Sequence, residues 1–208
     1  MYSKLTYLFS VVLFTALSLN VSKAQVSFAF GPEFGLNLAN VSVTPTTTTD
    51  SRTGFIIGGI ADINIGKVIG ITSGLRFVMK GYTSTSQGVT FKEKFNYLEI
   101  PALLKARFPL TEVKPYVHAG PVLGINLAAT EEQSNGQQTQ NVDVSNSVES
   151  IDFGLLFGAG LDFKIASKTD LFVQFGYQLG LSSWLKGNTT VTAKNYGIQI
   201  TGGAKFNL

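Results

Sequence analysis

The chain has 208 residues, with 16 Lys and Arg against 13 Asp and Glu, one His and no Cys. Without Cys there are no disulfides, thiolate metal sites, Cys nucleophiles or lipid-anchored Cys. Only 14% of residues are charged while Gly numbers 22 and Phe 16, too little ionic surface for a soluble domain of this length.

Lys4, the apolar run Leu8 to Leu19 and the small-residue step Val21-Ser22-Lys23-Ala24 read as a secretory signal over residues 1–24, cleaved at Ala24-Gln25. The apolar run is about twelve residues, short of the roughly 20 that a spanning helix needs. Losing Lys4 and Lys23 lowers the 16 bases to 14 while the acids stay at 13, so the expected mature domain, residues 25–208, is nearly neutral. That balance excludes a nucleic-acid surface. Export without a lipid anchor leaves periplasm, medium or outer membrane. No later apolar run reaches spanning-helix length, so a membrane location requires strands.

Eight stretches then alternate large apolar residues with small or polar ones, the period-2 signature of strands with one greasy face. Ser27 to Ala39 places Phe28, Phe30, Phe34, Leu36 and Leu38 on one side, and Gly54 to Ile65 sets Phe55, Ile57, Ile63 and Ile65 against Gly58, Asp62 and Asn64. Val68 to Tyr82 opposes Ile69, Ile71, Leu75, Phe77 and Met79 to Gly70, Thr72, Gly74, Arg76 and Lys80. The fourth ends with Leu98, Ile100, Ala102, Leu104, Ala106 and Phe108 facing away from Tyr97, Glu99, Pro101, Lys105 and Arg107. Pro115 to Leu127, Ile151 to Ile165, Leu171 to Leu181 and Tyr196 to Leu208 complete the set. The connections Gly66-Lys67, Pro109 to Lys114 and Ala166 to Thr169 are short. Those over Asn40 to Thr53, Thr83 to Thr90, Ala129 to Ser150 and Ser182 to Lys194 are longer, and Glu131 to Ser145 reads as a mobile external loop. Short turns on one side and long loops on the other predict an eight-stranded antiparallel up-and-down transmembrane β-barrel.

Gly31-Pro32-Glu33-Phe34-Gly35-Leu36-Asn37-Leu38-Ala39 returns as Gly120-Pro121-Val122-Leu123-Gly124-Ile125-Asn126-Leu127-Ala128. At an offset of 100, Gly54, Gly58, Asp62 and Ile65 match Gly154, Gly158, Asp162 and Ile165, and Leu98-Glu99-Ile100 with Lys105 matches Ile198-Gln199-Ile200 with Lys205. Shared ancestry of two four-strand halves and convergence under one constraint both account for this.

A glycine-rich polar face fits a narrow lumen better than the exterior of a soluble carrier, because eight strands enclose only enough room for side chains. The inward set is then Glu33, Asp62, Arg76, Lys80, Glu99, Lys105, Arg107, His118, Asp152, Asp162, Lys164 and Lys205, nearly balanced in charge. Arg76 and Glu99 fall at similar depth on neighbouring strands and are expected to pair, since Arg76 facing lipid at mid-depth would cost roughly 2 to 4 kcal/mol. Pro32, Pro101 and Pro121 lie inside strands, where a missing N–H predicts bulges, rim positions or irregular pairing. Phe28, Phe108, Tyr116, Phe163, Trp184, Tyr196 and Phe206 are candidates for interfacial girdles.

Tyr97-Leu98-Glu99-Ile100-Pro101-Ala102-Leu103-Leu104-Lys105, Lys114-Pro115-Tyr116-Val117-His118-Ala119-Gly120-Pro121, Gly35-Leu36-Asn37-Leu38 and Gly203-Ala204-Lys205-Phe206-Asn207-Leu208 together resemble the PorT-like outer-membrane β-barrel family over the whole mature chain. The resemblance implies a small barrel in the outer membrane of a Gram-negative cell. Its final strand is similar to the signal read by the barrel-assembly machinery, carried here by Gly203, Phe206 and Leu208, although Leu replaces the commoner terminal Phe.

Chemistry is sparse. His118, the sole histidine, is expected to be a hydrogen-bonded lumen residue, and no His, Ser and acid gather as a lipid deacylase needs. No metal-ligand cluster or phosphate loop is present, Gly158-x-Gly160 being a strand pattern, so no cofactor is expected. The expected protein is a structural or interaction barrel whose external loops meet a protein or surface ligand, embedded in outer-membrane lipid. A narrow solute channel and a lipid-modifying enzyme are the alternatives.

Overall fold

The computed structural model describes residues 25–45, 48–108, 110–187 and 190–208, so the signal expected over 1–24 lies outside the described residues. In chain order the strands are β1 (Val26–Thr44), β2 (Asp50–Ile65), β3 (Ile69–Ser86), β4 (Val89–Arg107), β5 (Val113–Ser134), β6 (Thr139–Asp143), β7 (Ile151–Ala166), β8 (Thr169–Gly180) and β9 (Thr192–Asn207). All pairings are antiparallel, and β1 closes against β9 and β4 against β5, so eight strands form a ring. β6 is an addition, paired to the upper end of β5.

Alternation decides which face turns inward. On β1, Phe28, Phe30, Phe34, Leu36 and Leu38 are exposed while Ala29, Glu33 and Asn37 are buried. On β7, Ile151, Phe153, Leu155 and Phe157 are exposed while Asp152, Leu156 and Asp162 are buried. Apolar outside and polar inside is the arrangement that lipid imposes. Phe28 to Leu38 is about eleven residues, which at roughly 3.3 Å each and a tilt near 45° cover about 25 Å, the height of an outer-membrane apolar band.

The seam between β1 and β9 is tight. A Cβ at Gly31 would lie 1.8 Å from the Ala204 carbonyl oxygen, and one at Gly203 would lie 2.0 Å from that of Pro32. Only glycine permits this approach. The three strand prolines sit beside gaps in the ladder rather than at bulges or rims. Pairing of β1 with β9 skips Gly31 and Pro32, that of β3 with β4 skips Ile100 and Pro101, and that of β4 with β5 skips Gly120 and Pro121, each resuming without a shift. The bulges lie elsewhere, at Ser51/Ile56, Asn96/Tyr97 and Lys164/Ala166. A missing N–H is tolerated by omitting a bond, with no extra residue inserted.

The outer end differs from the sequence reading. Thr83 to Thr90 is strand with a tight turn at Gln87-Gly88, both at positive φ, rather than a long loop. Most of Asn40 to Thr53 belongs to β1 and β2. Glu131 to Ser145, expected as a mobile loop, instead continues β5 and turns into β6. Above the apolar band water wets both faces, so strands there carry no hydrophobic contrast for a period-2 reading to detect. β3 to β6 therefore rise past the band as a sheet. Of the girdle candidates, Phe28, Phe108 and Phe206 are exposed outward, but Tyr116 and Trp184 are buried. Tyr116 shares the inward parity of His118, and Trp184 folds over the outer mouth.

Candidate functional site

The inward face, taken from the short-turn end upward, fills the lumen. Nearest that end, Asp62 on β2, Lys105 on β4, Asp162 on β7 and Lys205 on β9 form a closed ring of ion pairs. Lys105 Nζ lies 3.0 Å from both Asp62 Oδ2 and Asp162 Oδ2, and Lys205 Nζ lies 3.0 Å from Asp62 Oδ2 and 2.9 Å from Asp162 Oδ1. Thr72 donates to Asp62 at 2.6 Å, and the Tyr116 ring sits 3.7 Å from Lys105 Nζ. These four residues are the two Asp and Lys pairs that repeat at an offset of 100. Each half of the chain supplies one acid and one base, and the set is neutral.

Above this ring Glu33 accepts from Thr201 Oγ1 at 2.7 Å and from Gln174 Nε2 at 2.8 Å, while the Tyr116 hydroxyl donates to Gln174 at 2.9 Å. Leu103, Val122 and Leu156 pack as an apolar plug on the same inward face. His118 is buried beside Tyr116, their rings 5.8 Å apart, but neither ring nitrogen has a hydrogen-bond partner, contrary to the expectation of a bonded residue. The inward neighbours across its strand are Lys105, a donor only, and Gly158, which offers no side chain.

Higher again, Arg76 and Glu99 face each other in register and pair at 3.0 Å. Lys80 bridges Glu99 at 2.7 Å and Asp152 at 3.0 Å, giving a second neutral set of two acids and two bases. Amides complete it: Gln178 donates to Glu99 at 2.8 Å, Gln199 to Gln178 at 2.6 Å and Asn195 to Asp152 at 3.1 Å. Ser182 also donates to Asp152, at 2.9 Å. A void of about 10 Å3 bounded by Asn37, Lys80, Gln178 and Asn195 has room for about one water.

The outer mouth is closed by apolar side chains. Val41, Phe95, Tyr97, Ala129, Val148, Trp184 and Ala193 cluster there, with the Phe95 and Trp184 rings 4.7 Å apart. Trp184 is carried in by the β8–β9 connection, which is pinned by the Val148–Leu185 bridge and by the Trp184 N–H donating to the Ala193 carbonyl at 2.9 Å. Above the cap the protruding sheet carries charge on its outer face, where Lys92 and Lys94 both bond Glu132 and hold its carboxyl below the usual range. On its inner face Glu93 lies directly opposite Glu131. Burial, then the hydrogen bond to Glu131 and its charge, push the Glu93 carboxyl up to about 8, and burial pushes Tyr82 to about 12.

Of the residues assigned to the lumen, Glu33, Asp62, Arg76, Lys80, Glu99, Lys105, His118, Asp152, Asp162 and Lys205 are buried. Arg107 is half-buried at the lower mouth and donates to the Asn64 amide oxygen. Lys164 is a correction: it is exposed at the rim, where the bulge between Lys164 and Ala166 lets β7 end, and it joins no ion pair among the described residues. The neutral bridges Thr72, Gln174, Gln178, Asn195, Gln199 and Thr201 share the inward parity of the charges they link, but the sequence pattern, which puts Thr72 on the polar face, assigns none of them a bonding role. Gly203, Phe206 and Leu208 lie at the end of β9, with Phe206 and Leu208 exposed.

Among the described residues no group of three or more His, Cys, Asp or Glu could hold a metal ion. The sequence matches the outer membrane protein beta-barrel domain over residues 23–186. The chain belongs to this family. The match stops short of β9, the strand that closes the ring. Among curated proteins none matches. OprG from Pseudomonas aeruginosa is 9% identical with a TM-score of 0.56, the alignment covering 90% of this chain and 98% of that one. A major outer membrane protein from Thermus thermophilus is 10% identical with a TM-score of 0.53, covering 88% and 100%. Neisserial surface protein A is 16% identical at a TM-score of 0.49, covering 86% and 97%. At such identities the likeness to the first two shows the fold alone, and it is membership of the family that places this small barrel in the outer membrane.

Proposed function

We propose that this barrel is a sealed, non-conducting member of its family that acts as a structural or interaction protein through its external surface. The observation that carries the reading is the lumen itself, closed by the Asp62–Lys105–Asp162–Lys205 ring, the Arg76–Lys80–Glu99–Asp152 set and the Trp184 cap. An ion crossing it would have to break buried pairs, each desolvated at several kcal/mol per ion. What remains available to a partner is the sheet of β3 to β6, which stands above the apolar band and offers a free strand edge at β6.

Planar-bilayer recordings test this, and the expected result is no resolvable conductance. Stable unitary steps would favour a solute channel instead. Comparison of lipid profiles between wild-type and deletion strains addresses the lipid-modifying alternative, with unchanged profiles expected. The PorT-like subgroup is part of the proposal, supported by the Tyr97 to Lys105 and Lys114 to Pro121 segments, and no secretion role accompanies it. Recognition of Gly203, Phe206 and Leu208 by the assembly machinery is likewise proposed, supported by the exposure of Phe206 and Leu208 on the last strand.

A further inference from the structure

The short-turn mouth opens into a bowl of about 550 Å3. Five elements bring charged groups to its lining: Lys67 from the β2–β3 turn, Arg107 from the end of β4, Lys114 from the start of β5, Lys164 from β7 and Asp170 from β8. Four cations thus meet one acid. Asp170 takes a single ion pair, to Lys114 at 3.4 Å, and also accepts from Asn207 at 3.3 Å. Lys67 and Lys164 form no ion pair among the described residues. Arg107 spends one nitrogen on Asn64, and its buried Nε has no partner. Glu112, on the β4–β5 turn, whose carbonyl accepts from the Lys164 N–H at 3.0 Å, and Lys168, on the β7–β8 turn, lie outside the lining.

Nothing from within neutralises the bowl, because the layer above it is the balanced ring of Asp62, Lys105, Asp162 and Lys205. A concave wall of one charge sign focuses its field and concentrates counter-ions. Leu110, 61% exposed, is part of the lining, and Phe108, 59% exposed beside it, is an apolar side chain that immerses at the membrane interface. The bowl therefore stands at the height of inner-leaflet headgroups while opening to the periplasm. A guanidinium flanked by ammonium groups suits a multiply charged oxyanion, with the planar fork of Arg107 matching two of its oxygens.

From this geometry we infer that the periplasmic bowl binds phosphate-bearing molecules, through Arg107, Lys67, Lys114 and Lys164. A phospholipid headgroup and a free phosphate compound share that chemistry. The test uses the folded mature protein in maltoside micelles, which carry no phosphate, with inorganic pyrophosphate titrated and read by nuclear magnetic resonance. Saturable shifts at Lys67, Arg107 and Lys114 are expected, with Lys92 and Lys94 unmoved. Affinity should fall about tenfold in Lys67→Gln with Lys164→Gln, both exposed positions, and the Lys67→Gln single variant gives a milder second reading. Nanodiscs containing phosphatidylglycerol separate the sources: shifts present before any addition mark the headgroup, and shifts appearing only with pyrophosphate mark the free compound. No saturable shift in either arm, an equal response to sodium chloride at matched ionic strength, or unchanged affinity in the double variant overturns the assignment.

Discussion

Glu99→Gln separates a dry, paired lumen from a wet one. Glu99 is fully buried and accepts from Arg76 at 3.0 Å, Lys80 at 2.7 Å and Gln178 at 2.8 Å. Removing its charge leaves Lys80 with Asp152, still 3.0 Å away, but leaves Arg76 with no acid within ion-pair range among the described residues. A buried cation stripped of its partner costs about 3 to 5 kcal/mol. The chain holds one Trp, and that residue, Trp184, is packed in the cap against Phe95, so its fluorescence reports the folded barrel directly. Urea unfolding in phospholipid vesicles followed at Trp184 should register the full loss for Glu99→Gln. Adding Arg76→Met should recover most of it, because removing both charges abolishes the unpaired state. A cost below about 1 kcal/mol, or a double variant no better than the single, would mean that water reaches Arg76 and that the lumen is not sealed.

Other outcomes follow from the same geometry. Trp184→Ala removes the centre of the outer cap and should destabilise the barrel by about 3 to 5 kcal/mol in a urea titration followed by far-ultraviolet circular dichroism, since the fluorescent probe is lost with the residue, yet leave planar bilayers silent because both charge sets below remain closed. Glu93, raised to about 8 and lying above the apolar band, binds its proton more tightly folded than unfolded. Stability of the protruding sheet should therefore be greatest below about 4.5 and fall as pH rises towards about 8, and Glu93→Gln should flatten that dependence when amide exchange of β4 and β5 is followed against pH. Gly31→Val should prevent closure of the β1–β9 seam, seen as loss of the heat-modifiable band on an unboiled gel, since its Cβ would meet backbone at 1.8 Å. A shifted band at wild-type intensity would contradict the seam geometry.

How much was legible depended on contrast between faces. Where lipid meets one side, alternation such as Ile151-Asp152-Phe153 fixes both strand and orientation, and the inward acids and bases could be named from parity alone. Where both faces are wet, as in Thr83 to Thr90 and Thr139 to Asp143, Ser, Thr and Gln carry no such signal and strands read as loops. Tyr116 and Trp184 were misplaced because an aromatic near a strand end suits a girdle and a plug equally; only parity for Tyr116 and the fold of a connection for Trp184 decide. The partnering of charges was partly readable. Arg76 with Glu99 follows from adjacent strands, but Lys205 reaching Asp62 across the lumen depends on barrel curvature, which no local pattern contains.

Lys205 arrives on the last strand. Before β9 docks, Asp62, Asp162 and Lys105 hold an excess of one negative charge inside a wall still open along its edge, and a wall in that state must stay hydrated. The closing strand brings the counter-ion with it, so sealing the seam and drying the interior become a single event. Insertion is thereby biased towards completion: a barrel missing its final hairpin partner keeps a wet, charged cleft facing lipid, and only the full circuit of strands removes it.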